Sequence, residues 1–251
     1  MKKIVLLALV ALITTGCMST NNIKPEAFGQ KKRYAVVSII GATDITDIKS
    51  ANGSGSGSLV GLVSAAASKD INFTESSDKM FAATQKILDQ ELSKAKSFQY
   101  VTSKTVLNSS AYKKAKGEEP KFGLFTIGLA PGYKYFNDDN KPELQKIMDA
   151  NHLDGVIIVN ANFNYGTGGV NVAGLISVGK TRGITTLGIY AADRSLAQVW
   201  SQNIKIQSEE SVGNVGGAPN FKKLYPLLEE TTRSAIQQCV STLDSTVYAE
   251  K

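Results

Sequence analysis

The first seventeen residues constrain everything that can be made of the rest. Lys2 and Lys3 open the chain, residues 4–13 form an unbroken apolar run, and Thr14-Thr15-Gly16-Cys17 closes it. An apolar run of this length is too short for a membrane-spanning helix, which needs about 20 residues. A basic start, a short apolar stretch and a small-residue ending is instead the pattern of a secretory signal peptide. Residues 1–16 are therefore read as a signal removed by cleavage between Gly16 and Cys17. The fold must then be built from residues 17–251, enough for one sizeable domain, outside the cytoplasm. No second long apolar run follows, so this remainder is expected to be water-soluble.

The ending at Cys17 resembles the lipobox of bacterial lipoproteins, with small residues at Thr15 and Gly16 and Thr14 where the family usually carries leucine. The resemblance implies that Cys17 is diacylated on sulfur and acylated (palmitate among the chains) on its new amine. Met18 stands where an inner-membrane retention aspartate would stand, which by the same resemblance implies the outer membrane. With Cys17 lipidated, Cys239 is the one thiol left, which excludes an internal disulfide and a cysteine-based metal site. Cys239 falls on the apolar stripe of an expected helix and reads as a buried thiol.

Loss of Lys2 and Lys3 lowers the formal charge from +6 to +4. That balance is too weak for a nucleic-acid footprint, and the basic groups Lys31-Lys32-Arg33, Lys113-Lys114-Lys116 and Lys222-Lys223 are not interleaved with aromatic residues. They read as solvated surface, with attraction to anionic lipid heads or cell-wall polymer as the other reading.

Residues 17–33, polar and with a basic end, read as the lipidated cysteine and its tether. The near-continuous β-branched run at 34–40 predicts a strand covered on both faces. Residues 50–68 are a Gly/Ser-rich insertion running into small apolar residues, read as a loop and short buried helix, or else as a segment packed on a neighbouring subunit or dipping into the membrane. Ser77 is the expected N-cap of a helix over 78–96, whose inner face carries Phe81, Thr84, Leu88, Leu92 and Ala95. A short strand at 98–101 and a helix over 103–116 capped by Ser103 follow. Residues 122–135 read as a loop containing a strand, and Pro142 starts a helix ending near Asn151. Strands are then expected at 156–165, 170–178, 184–190 and 196–207, with turns at 166–169 and 180–183. A Gly-rich loop over 211–219 precedes a helix over 225–248 with Pro226 in its first turn.

The order β-α-β-α-loop-α-β-β-β-β-α predicts a single α+β domain over 34–251, a mixed sheet with helices packed against it. Together with Cys17, the 34–40 strand, the helix and strand of 78–101, and His152-Leu153-Asp154-Gly155-Val156-Ile157-Ile158 leading into hairpins, this order resembles a group of periplasmic domains. The last strand pair, with Asp193-Arg194-Ser195 and Val199-Trp200, fits the same pattern. The group comprises the curli-secretion-channel lipoprotein, the lipoprotein activator of penicillin-binding proteins, and the amino-terminal domain of the Tol translocation propeller protein. It carries no functional residue over beyond Cys17.

Chemistry is sparse. Gly174-Leu175-Ile176-Ser177-Val178-Gly179-Lys180-Thr181 fits the spacing of a phosphate loop, but its middle is strand-like, and a hairpin turn at 180–183 explains the same residues. There is no G-x-S-x-G elbow. His152, the single histidine, stands at an expected helix end, and the acidic doublets Glu118-Glu119, Asp138-Asp139, Glu209-Glu210 and Glu229-Glu230 read as solvated charge. Neither catalytic nor metal-binding residues are assigned, and neither cofactor nor nucleotide is expected. Phe122, Phe125, Tyr133, Tyr135 and Phe136 crowd a Gly/Pro-rich loop and are read either as a partner-binding surface or as a loop folded over the sheet.

The expectation is a non-enzymatic lipoprotein of the bacterial outer membrane, lipid-anchored at the periplasmic face and acting as an accessory or structural factor that binds an envelope protein partner in assembly, secretion or cell-wall machinery. The alternative is a homo-oligomeric secretion pore in which 170–178 and 184–190 cross the membrane and residues 53–67 join subunits. A carboxylate hydrolase is the third.

 The anchor would hold the chain to the membrane at the periplasmic face.

Overall fold

The computed structural model describes residues 21–48, 74–122, 125–172, 176–215 and 219–249. In chain order its elements are β1 (Asn22–Ile23), β2 (Arg33–Ala42), β3 (Asp44–Asp47), β4 (Glu75–Ser76), α1 (Asp78–Leu92), β5 (Gln99–Tyr100), α2 (Ser103–Asn108) and α3 (Ser110–Lys114). There follow β6 (Lys121–Phe122), β7 (Phe125–Leu129), α4 (Lys141–Asn151), β8 (Gly155–Val172), β9 (Ile176–Asp193), β10 (Gln198–Gln207), β11 (Val212–Val215) and α5 (Phe221–Ala249).

The main sheet runs β1-β10-β9-β8-β2-β7-β6. β2 lies at its heart, parallel to β8 and antiparallel to β7. Its β-branched run is sealed on both faces, as a strand between helical layers must be. A bulge between Val36 and Ser38 shifts the alternation, so that Val36 and Ile39 face one layer while Ala35 and Val37 face the other. On the first face, α1 and α5 pack Phe81, Leu88, Leu92, Leu228, Ile236 and Leu243 against the sheet. On the second, α3 and α4 bring Tyr112, Leu144, Ile147 and Met148 onto Ala35, Val37 and Val156. Each such fully buried side chain contributes about 1.5–3 kcal/mol, and this two-sided burial fixes the α+β domain.

Several local expectations are corrected. The residues 166–169 and 180–183 are not turns: β8 and β9 form one long hairpin in which Gly166 pairs with Arg182 and Gly168 with Lys180. The strand expected at 184–190 is the middle of β9, with Ile184, Leu187 and Ile189 buried in the domain. Residues 212–215 of the expected Gly-rich loop are β11, paired with residues 178–181 of β9. Ser77 stands at the N-cap position of α1 as expected, but its hydroxyl makes no capping bond and is buried without a hydrogen-bond partner among the described residues, while Ser76 Oγ accepts from the Asp78 N–H at 3.2 Å. The single helix expected over 103–116 is broken at Ser109, whose hydroxyl caps α3 by accepting from Tyr112 N–H. Pro226 lies inside α5 because that helix begins at Phe221, earlier than expected.

The tether is also shorter than expected. Residues 22–33 belong to the domain: β1 pairs antiparallel with β10, matching Asn22 to Ser201 and Ile23 to Trp200. Lys24 N–H then donates to Val199 O at 2.9 Å, and Phe28 is buried. The Gly/Ser-rich insertion at 50–68, with the subunit or membrane contact read into it, lies outside the described residues.

Candidate functional site

Gly16 and Cys17, expected as the cleavage and lipidation site, lie outside the described residues, and the chain enters the fold at Asn22. Phe28 holds that entry. Its ring stacks on Tyr34 at 5.1 Å, meets Trp200 edge-on at 6.4 Å and lies 6.2 Å from Phe98. Tyr34 Oη donates to Ala27 O at 3.0 Å, tying the first strand of the core back to the entering segment. An aromatic cluster of this kind adds about 0.5–1.5 kcal/mol per ring pair to the burial itself. Asn22 is thus a fixed point on the sheet edge.

Beside this entry lie the ends of α1 and α5. The Asp244 carboxylate accepts from the backbone N–H groups of Lys96 and Ser97, and Tyr248 Oη donates to Lys96 O at 2.7 Å. Two adjoining grooves share Gln30 and Lys96: one reaches Lys94 and Tyr248, the other Lys31 and Tyr100. Lys24, Lys31 and Lys96 are exposed. Lys31 was legible in the sequence as part of a basic run, whereas Lys96 and Tyr248 meet it only through tertiary packing of separate helices.

At the wall of the first groove Glu91 is buried, with 3% of its side chain exposed. Burial pushes its carboxyl upward, but hydrogen bonds from Lys94, Gln237 and Arg233, with the charge of Lys94, outweigh burial and hold it below the ordinary glutamate value. Arg233 Nη1 donates to it at 2.6 Å and Lys94 Nζ at 2.7 Å. Glu91 is therefore a fixed anion at neutral pH that clamps α1 to α5.

The aromatic loop divides. Tyr133 and Phe136 are buried: Tyr133 Oη donates to Ser103 Oγ at 2.6 Å, and Phe136 meets Tyr112 edge-on at 6.0 Å. These two belong to the core, which corrects the partner-surface reading for them. Tyr135 is half-buried and its backbone bridges Glu118. Phe122 and Phe125 fall in the β6–β7 hairpin, and their side chains lie outside the described set.

The remaining candidates resolve simply. Gly179, Lys180 and Thr181 sit within β9, paired to β8 on one side and β11 on the other, and Thr181 Oγ1 accepts from Asn214 Nδ2 at 2.8 Å. A phosphate loop needs a helix to begin at that lysine, so strand pairing removes the match. The turn expected there is absent as well, since the residues face Gly168 and Gly169 across the ladder. His152 closes α4 with a left-handed backbone (φ 52°), its N–H turned back to Asp149 O, and its side chain is exposed. Burial pushes the Cys239 thiol up to about 12, which keeps it protonated and unreactive inside the α5 interface. Glu119 pairs with Lys121, and Glu229 and Glu230 are exposed on α5. Among the described residues no three metal-ligating side chains gather, and no helix is long and apolar enough to cross a membrane.

No protein-family model matches the chain, and no curated protein matches it. Among solved structures, those similar in part include two bacterial proteins. The C-terminal domain of LpoB from Salmonella enterica is 13% identical, with a TM-score of 0.33, over 72% of this chain and 85% of that one. The lipoprotein GNA1162 from Neisseria meningitidis is 15% identical, with a TM-score of 0.30, over 81% of this chain and 97% of that one.

Proposed function

We propose that the protein is a non-enzymatic, lipid-anchored factor of the bacterial envelope, held at the periplasmic face of the outer membrane and acting by binding an envelope protein. The reading is supported by one juxtaposition above all: a signal-like segment ends at Cys17, and the folded domain begins at Asn22. Fully extended, the chain from Cys17 to Asn22 reaches at most about 18 Å. A lipid on Cys17 would keep the whole domain against a bilayer, where confinement to a surface raises its effective concentration for neighbours in the same membrane.

The same length counts against the pore reading. Asn22 is level with Ser201, which pairs with Tyr190. Along β9 the stretch from Tyr190 to Thr181, with the tip of the hairpin still further on, covers about 30 Å. An anchor reaching about 18 Å does not let that hairpin enter the leaflet that holds Cys17 while β1 stays paired. The strand expected to cross at 184–190 is, moreover, part of the core.

Size-exclusion chromatography of the lipidated protein in mild detergent separates the two readings. The expected result is a monomer or dimer that crosslinks to an envelope protein in native membranes and loses that crosslink with Cys17→Ser. A large detergent-stable ring would return the pore.

A further inference from the structure

We infer that the end of the domain carrying Lys24, Lys31, Lys96 and Tyr248 is the surface that rests on the bilayer, its lysines against lipid phosphates. The geometry rests on the anchoring just proposed. Any surface pressed to the membrane must lie within the tether's reach of Asn22, and this end does. Lys24 follows β1 directly, and Lys31 and Lys96 line one groove with Phe98, whose ring lies 6.2 Å from that of Phe28. The three lysines are exposed and form no ion pair among the described residues. Their neighbours Lys32 and Lys94 are spent on Asp154 and Glu91. The acids of the same end include Glu26, which is exposed, and three that are already engaged: Asp244 and Asp193 each accept from backbone N–H groups, and Asp154 accepts from Lys32 and from the Arg33 N–H.

Tyr248 adds an independent sign. At 38% exposure it is the one large apolar side chain exposed among the described residues, and it lines the groove shared by Gln30 and Lys96. Its hydroxyl is held by Lys96 O while its ring meets solvent. An amphipathic ring beside lysines matches the chemistry of a membrane interface, where tyrosine sits at headgroup level and each nearby lysine strengthens attraction to anionic lipid. The opposite end carries exposed lysines too, at Lys180, Lys222 and Lys223.

The test uses the mature chain with Cys17→Ser, sedimented with vesicles of phosphatidylglycerol or of phosphatidylcholine at low salt. Binding to the anionic vesicles alone is expected, with the partition coefficient falling about five-fold for each of Lys24→Gln, Lys31→Gln and Lys96→Gln. A triple variant at the far end (K180Q, K222Q, K223Q) has the same net charge as the triple at the near end and should stay within about two-fold of the parent. Unchanged thermal melts establish that each variant is folded. Equal losses from the two triples, equal binding to both lipids, or no binding to anionic vesicles overturns the inference. Because this assay contains no anchor, its failure is distinct from a failure to find lipid on Cys17.

Discussion

The end where the chain enters at Asn22, and where the anchor is proposed, and the far end of the β8–β9 hairpin belong to one sheet but are held by different means. At the anchor end, side chains interlock: Phe28, Tyr34, Phe98 and Trp200 are all buried and in ring contact, and Gly155 opens β8 tight against Tyr34 and Ala192. At the far end, beyond Tyr165, polar side-chain contacts join the strands: Thr167 Oγ1 donates to Asp47 Oδ2 at 2.8 Å and Asn214 Nδ2 to Thr181 Oγ1 at 2.8 Å, while Gly168 has open space where a side chain would stand. The difference teaches where the fold resists displacement. Where the chain enters at Asn22 it meets an aromatic core, so under the proposed anchoring a pull on Cys17 would be taken by Phe28, Tyr34 and Trp200.

The sharpest way to break that comparison is Trp200→Ala, which removes a fully buried ring under Phe28 and beside the β1 pairing. A loss of about 3–5 kcal/mol is expected in urea unfolding, with proteolysis opening near β1. Gly155→Ala comes next: its Cβ would stand 2.3 Å from Tyr34 Cε1 and 2.4 Å from Ala192 O. Backbone cannot yield as a flexible side chain can, and a cost of about 1–3 kcal/mol or more is expected in the same assay.

Glu91→Gln follows, at about 1–2 kcal/mol, because both cations that bind the buried carboxylate are themselves substantially exposed. The sign of its pH dependence is fixed by the lowered carboxyl. Its contribution is complete above the ordinary glutamate value and is lost as pH falls through the lower folded one. Thermal melts of wild type and Glu91→Gln should therefore converge in acid and separate toward neutral pH. The smallest effect is Gly168→Thr, expected within about 0.5 kcal/mol of wild type. A cost matching that of Gly155→Ala would mean the far end is packed as tightly as the base.

The fold was legible wherever a pattern was local. Helical spacing found α1, α4 and α5, and the β-branched run found β2 with its two covered faces. Glycine misled at 166–169 and 180–183, because a glycine pair signals a turn only when no partner strand lies opposite, and here each segment is the other's partner. Phe28 was hidden among polar residues with no periodicity around it, since its partners Trp200 and Phe98 come from distant segments. Tyr133 and Phe136 are core through partners that composition does not show, Ser103 for the one and Tyr112 for the other. Of the candidate site, the cysteine pattern and Lys31 were readable, while the meeting of Lys31, Lys96 and Tyr248 needed α1 and α5 to end side by side.

The most direct measurement is incorporation of labelled palmitate into the growing bacterium's copy of this chain, followed by fractionation. Label on the wild type, none on Cys17→Ser, and release of that variant from the membrane fraction are the results expected. An unlabelled wild type, or a Cys17→Ser protein that fractionates unchanged, would contradict a domain tied to the bilayer by so short a lead.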